Sequence, residues 1–286
     1  MSQDESKPSD IPEPKSKDRP LPLAWQPLTA RGVAAFSSAT LGRLLLVQFM
    51  VALLAAGAVL WFLASVWFPT IRLAIRQLPQ TGLIQQQQLS SPRASSEPLA
   101  DTRFLAFVMD VNETGIPNLS TDLRVEFHQR HFALCSPLGC LTSSYPKDWN
   151  VQFNRPELES RWGAWEPMIY SLAGLAVVGG LFTHWLVLAT FYWPAARLYC
   201  FFKDRQATLL GSWKLSAAAL LPAALLTVVA IVLYGQGLID FLRFLILCAL
   251  SLPVGWIYLF ASPLHLPRTS DAVQALQHNP FGTEKT

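Results

Sequence analysis

Cys135 and Cys140 frame Ser-Pro-Leu-Gly. That C-x4-C spacing suits a turn closed by a disulfide in an oxidising compartment. Redox chemistry more often uses C-x-x-C at a helix N-terminus. Zinc would need better-spaced partners than His128 and His131. Those two histidines fall three apart in a region of strand pattern. On a straight strand they would point to opposite faces, so both are expected at the surface. Cys200 and Cys248 read as small apolar residues.

A second set of polar groups lies within apolar stretches, where such groups are costly and face a partner or a cavity. His184 is either a ring bonded to a hydroxyl or carbonyl of another helix, or a proton or ligand site. Asp240 and Arg243, three apart, share one helix face and suit an ion pair. Asp240 also suits a helix N-terminus, where the dipole favours an anion. Pro222 and Pro253 each remove a backbone hydrogen bond and open a kink. Such kinks either shape a cavity or simply pack. Arg197, Lys203, Asp204 and Arg205 form a charged cluster that reads as a contact with anionic headgroups. There is no P-loop, GxGxxG, HExxH or GxSxG. No catalytic residue, cofactor or metal is expected.

The elements that must position these residues follow from composition. The 286 residues are 51% hydrophobic and 14% charged, with mean hydropathy +0.30. A soluble domain carries about 25% charge, so composition speaks against a soluble enzyme, a fibre and a disordered chain. A net charge of +3 without a basic patch speaks against nucleic-acid binding. Residues 44–68, 168–192 and 215–234 contain no Asp, Glu, Lys or Arg, and 241–262 contains only Arg243. Uncharged apolar runs of about 20 residues suit a bilayer, so four spans are expected there. Trp61, Trp67, Trp162, Trp165, Tyr192 and Trp193 mark span ends, where amphipathic rings favour headgroups. Pro69 ends or kinks the first span. Glu166 before Pro167 reads as the start of the second, Gly-Gln-Gly at 235–237 breaks the third, and Pro263 closes the fourth.

Lys and Arg in short connections set orientation. Arg197, Lys203, Arg205 and Lys214 lie between spans two and three, whereas 235–240 has none. The 193–214 loop is therefore expected inside, with both termini. The tail 1–40 reads as a disordered cytoplasmic segment, with 1–21 the most polar and Pro-rich part and without an apolar period. Residues 263–286 form a second cytoplasmic tail.

The segment 69–167 falls outside and is long enough for a small domain. Apolar residues at 71, 74, 75 and 78 give a short amphipathic helix, expected flat on the outer leaflet. Residues 85–100, rich in Gln, Ser and Pro, read as a linker. Phe104–Val111, Leu123–Phe127, His131–Cys135 and Trp149–Phe153 read as strands, with turns at Asn112–Gly115 and Ser136–Gly139. A sheet of three to five strands is expected, covered by the linker or the surface helix. Asn112-Glu-Thr and Asn118-Leu-Ser fit the glycosylation pattern. Gly174, Gly179 and Gly180 in span two, with the Ala-rich start of span three, predict close packing of those helices.

Gly211-Ser-Trp-Lys-Leu-Ser-Ala-Ala-Ala-Leu-Leu-Pro222 opens span three with polar residues and a mid-span proline. Together with the order tail, span, outer domain, span cluster, it resembles the Yip1-like group of bacterial multi-span membrane proteins, over about 170–262. The resemblance implies no catalytic residues.

The expected fold is membrane α-helical: a four-helix transmembrane bundle with a small extracytoplasmic β-containing (α+β) domain between helices one and two. The expected function is a non-enzymatic accessory, scaffold or sensor in a bacterial inner (plasma) membrane. Its partners would be the lipid bilayer and a membrane or extracytoplasmic protein. The alternatives are an oligomeric transporter or permease component with a cavity near Pro222, Pro253 and His184, and a membrane-embedded enzyme. The transporter reading calls for a homo-oligomer.

Overall fold

The computed structural model describes residues 25–92, 98–112 and 120–268. Four helices in it are long and apolar enough to cross a membrane: Leu41–Arg76, Arg155–Phe202, Leu209–Gly235 and Phe241–His265. They are called helices one to four below. All four overlap the uncharged runs, but their ends differ from those runs.

Helix one is a composite. Helix α2 (Leu41–Phe62) passes into a π-helical turn (Leu63–Trp67) and then into α3 (Phe68–Arg76). Pro69 sits in the first turn of α3, where a missing N–H costs least. The widened turn just before it absorbs the ring without ending the helix. The amphipathic stretch from Ile71 is thus the continuation of helix one, not a separate surface helix.

Helix two is α4, a single helix of 48 residues, about 72 Å at 1.5 Å per residue. It starts at Arg155, with Asn154 as N-cap accepting from the Glu157 N–H at 3.1 Å. Glu166 and Pro167 therefore lie inside the helix rather than at its start. Hydropathy located the apolar stretch, but the charged turns before it are equally helical.

Helix three breaks in two, α5 (Leu209–Ala219) and α6 (Leu221–Gly235), at Leu220 beside Pro222. Thr208 caps α5, its hydroxyl accepting from the Gly211 N–H. Helix four is α7 (Phe241–Ala261) and a 3-10 turn (Ser262–His265).

Helix one packs against helices two and three, and α6 packs against α7. Trp185, Ala189, Ala217, Ala218, Ala219, Leu221 and Leu259 fill the shared core. Trp213 Nε1 donates to Thr190 Oγ1 across the α4–α5 contact. The glycines contribute less than expected. A Cβ on Gly179 or Gly180 would meet nothing within 4 Å, and one on Gly174 would meet Leu60 of helix one. Alanines of α5 and the face of Trp185 make the close approach instead.

The N-terminal tail is a second correction. Residues from Ala30 to Ala35 form the short helix α1, capped by Thr29. Val33, Ala34 and Phe36 are fully buried in the bundle core. Gly32 permits this: a Cβ there would lie 1.9 Å from the Gln26 carbonyl oxygen. Residues 1–24, including the stretch read as unfolded, lie outside the described residues.

Between helices one and two, the described residues form eight strands in two sheets. Strands β1 (Leu83–Gln85), β2 (Gln88–Ser90) and β8 (Asn150–Gln152) form one, in the order β2-β1-β8. Strands β3 (Pro98–Asp101), β4 (Leu105–Met109), β5 (Leu123–Phe127), β6 (His131–Ser136) and β7 (Gly139–Ser144) form the other, in that order. Among the described strand pairs, β4 and β5 run parallel and the others antiparallel. The expected linker is in part the β1–β2 hairpin, turned by Gln86 and Gln87 at φ 51° and 62°. Gln is not a favoured left-handed residue, which hid this turn. The turn expected at 112–115 and the sequon at Asn118 fall largely outside the described residues.

The sheet core gathers Ile84, Leu89, Leu99, Met109 and Tyr145 with Ala74 and Leu78 from the far end of helix one. The Leu89 N–H donates to the Gln129 carbonyl, joining the two sheets. Tyr145 donates its hydroxyl to the His128 carbonyl at 2.9 Å. Burial pushes that hydroxyl well above the usual phenol range, so it remains a donor at all ordinary pH.

Cys135 and Cys140 face each other across the β6–β7 hairpin, their sulfurs 2.02 Å apart. The bond closes a loop of few residues, so it removes little entropy from the unfolded chain. Replacing both cysteines by alanine is expected to cost the sheet domain about 2 kcal/mol or less, read from its denaturant midpoint. A loss above about 4 kcal/mol would mean that the hairpin does not form without the bond.

Candidate functional site

Beyond the continuity of helix one, the sheet domain also meets the bundle at the turn between helices three and four. Arg103, in the β3–β4 turn, donates from Nη1 to the Gly237 carbonyl at 2.6 Å and from Nη2 to the Ile239 carbonyl at 2.9 Å. Those carbonyls lie in the turn between helices three and four. Gly237 takes φ +75° there, a conformation that glycine adopts without strain. The turn leaves carbonyls without helical donors, and one guanidinium satisfies two of them. Charge-assisted bonds of this kind are the stronger ones.

Beside it, the Tyr234 hydroxyl donates to Asp122 Oδ2 at 2.9 Å. The Tyr234 ring packs edge-on against Phe104, centroids 5.0 Å apart, and also against Phe62 and Phe244. Gly235 is needed at this point, because a Cβ would lie 2.7 Å from the Trp61 ring. Helix one, the sheet domain and the helix three–four turn therefore meet in one aromatic cluster with a charged rim. The residues that make it are 112 to 136 positions apart. No local pattern points to Arg103 or Asp122. Only Tyr234, an aromatic at a span end, carried a signal.

Midway along the bundle is a cavity of about 210 Å³ lined by residues of all four long helices. His184, Thr227 and Ser251 are among its few polar groups, and Leu220, Ala223 and Leu252 flank the positions of Pro222 and Pro253. Neither proline itself lines it. Pro222 is buried at the α5–α6 break, and Pro253 lies on the exposed side of α7. His184 is exposed on α4, and its ring makes no hydrogen bond among the described residues.

Asp240 is the N-cap of α7. Its Oδ1 accepts from the Arg243 N–H at 2.8 Å, and its other oxygen stands 3.5 Å from Arg243 Nε. Both side chains are well exposed, so the pair caps and closes the helix end and reaches no cavity.

His128 and His131 correct the straight-strand picture. The turn between β5 and β6 folds them together, rings stacked with centroids 4.4 Å apart. His128 Nε2 is 3.2 Å from Glu126 Oε2, and Arg124 pairs with the other oxygen of Glu126. These groups line one face of β5, as alternation requires. Among the described residues no group of three or more His, Cys, Asp or Glu is arranged to hold a metal ion.

Comparisons with family models, with curated proteins and with solved structures found no match.

The junction makes a measurable claim. Arg103→Ala removes two charge-assisted bonds, each worth about 1.5–3 kcal/mol. It is expected to lower the melting temperature of the detergent-solubilised chain by several degrees. In a double-mutant cycle with Tyr234→Phe the two losses should be non-additive, since both act on one interface. Full additivity would show two independent contacts.

Proposed function

We propose that this chain is a four-span integral membrane protein of accessory, scaffold or sensor type, with its sheet domain outside and both termini inside a bacterial plasma membrane. One observation carries the partner-binding part. Strand β7 is an edge strand whose six residues are all exposed. Leu138 and Leu141 beside and within it are 74% and 71% exposed. Natural proteins blunt such edges with charge, proline or cover. An edge left open with apolar side chains suits addition of a strand from a partner protein. The domain bearing it is bolted to the helix three–four turn through Arg103, so occupancy of the edge has a physical route to the bundle.

The spanning part is supported by the apolar surface itself. In the most apolar stretches of helices two and four only 11% of residues are buried, against 44% and 56% in helices one and three. Water solvates such a surface poorly, and lipid solvates it well. Helices two and four are also where a second copy would pack if the chain forms a homo-oligomer.

A photo-crosslinking residue in place of Leu141 tests the partner surface in native membranes. The expected result is one discrete protein adduct, absent when the residue replaces lipid-facing Leu175. Lipid or self adducts alone at position 141 would overturn the reading.

The transporter alternative rests on the cavity at His184. Cysteine placement separates the two and tests orientation in one series, with Cys200 and Cys248 first changed to alanine. In intact cells a membrane-impermeant thiol reagent should label Ser143→Cys and miss Gln206→Cys. It should also miss Thr227→Cys and Ser251→Cys. Labelling at 227 and 251 would show a water-filled path and favour transport. Labelling at 206 but not 143 would invert the topology.

A further inference from the structure

The junction and the cavity at His184 leave unexplained a second concavity, where helices one and two leave the bundle. It holds about 240 Å³ and is lined by Arg72 and Arg76 from α3 and by Glu159, Trp162 and Glu166 from α4. Its position along the helices is the first point. Helix one carries no charge from Leu44 to Ile71, and helix two none from Pro167 to Ala196. Arg72 and Glu166 are the first charges beyond those limits, and they pair at 2.7 Å. Just beneath, Phe68 packs on Trp162 and Tyr170 with centroids 5.2 and 4.6 Å apart. Aromatic rings under a ring of charge mark the headgroup layer of a bilayer.

The charges give the second point. Two guanidinium groups face two carboxylates, so the site is neutral overall and offers both signs. Arg72 uses one N–H on Glu166, and a guanidinium has five. Arg76 stands 3.9 Å from Glu159 and 65% of its side chain is exposed. Trp162 adds an indole whose Nε1 is buried with no hydrogen-bond partner among the described residues.

We infer that this concavity binds the headgroup of a zwitterionic phospholipid of the phosphatidylethanolamine type. The phosphate lies against Arg72 and Arg76, which suit planar bidentate contact with its oxygens. The primary ammonium donates to Glu159 and Glu166, and the indole face of Trp162 is within its reach. An anionic headgroup without the ammonium gains the arginines but leaves the two carboxylates facing its negative charge.

This inference rests on the reading of the helices as membrane spans. Alkaline carbonate extraction of native membranes tests that reading first: release of the chain overturns both, retention leaves the lipid site standing by itself. The test of the site uses the full chain in detergent, observed by native mass spectrometry. Phosphatidylethanolamine and phosphatidylglycerol with matched acyl chains are added in equal amounts. The ethanolamine lipid is expected to be retained about fivefold more, the discrimination of one exposed ion pair. The double variant Arg76→Gln/Glu159→Gln should bring the ratio to about one while leaving the Arg72–Glu166 pair to hold the helices. A control, Glu157→Gln/Arg161→Gln, removes an ion pair on the same helix outside the cavity and should keep the wild-type ratio. Equal retention of both lipids, or an unchanged ratio in Arg76→Gln/Glu159→Gln, overturns the assignment. Displacement of the lipid by an equal concentration of free glycerophosphoethanolamine would assign the site to a soluble solute and overturn the lipid as its source.

Discussion

Helix one belongs to two cores at once. Leu44, Val47 and Ala52 are buried in the bundle, while Ala74 and Leu78 are buried beneath the sheets. A chain break at Pro69 would let the two halves turn independently. The π turn at Leu63–Trp67 avoids the break. Thr70 also returns a hydrogen bond to the Val66 carbonyl at 2.8 Å, on the very turn that the proline disturbs. The position of the sheet domain over the bundle follows from that continuity. So does the meeting of Arg103 with Gly237, and so does the concavity between α3 and α4.

At the opposite end a buried cation does comparable work. Lys214 is 8% exposed, and its Nζ donates to the Ala39 carbonyl at 2.6 Å. A lysine in the first turns of an apolar helix is costly unless its charge finds acceptors. Here the acceptor comes from the connection between α1 and α2, so the cost of burial becomes a reason for the N-terminal segment to dock. Tyr258 adds a second tether by donating to the Leu28 carbonyl. Arg205, in the connection before helix three, donates to the Leu266 carbonyl and holds the segment after helix four. The polar residues that open helix three serve as anchors between elements.

What the sequence made legible follows from the range of the forces involved. Hydropathy is a local sum, so the four apolar runs were plain, as were strands β4, β5 and β6 and the hairpin at Cys135–Cys140. Helix ends beyond the apolar runs were not plain, because Arg155–Glu166 folds as a helix on propensity and capping while its composition reads as a loop. The Gln86–Gln87 turn was hidden because its conformation is imposed by the pairing of β1 with β2, not by residue preference. α1 was hidden because six residues cannot hold a helix by themselves; the bundle core holds it. The junction was invisible because Arg103, Asp122 and Tyr234 meet only after both the sheets and the bundle exist.

The chemistry of the cavity at His184 sets how far the transporter reading can go. A charged solute crossing a bilayer must trade its hydration for protein ligands. Thr227 donates its hydroxyl to the Ala223 carbonyl and Ser251 to the Cys248 carbonyl, so both protons are committed within their own helices. The Tyr192 hydroxyl, also at the wall, accepts from Trp256 Nε1. What remains is the Tyr192 O–H, a small number of oxygen lone pairs and the His184 ring, set among Ala55, Val59, Val177, Leu181 and Val228. Such a lining replaces little of an ion's hydration shell, whereas it suits an apolar group well. The cavity is therefore a weak argument for carrying charge, and the open strand edge of the sheet domain carries more of the functional weight.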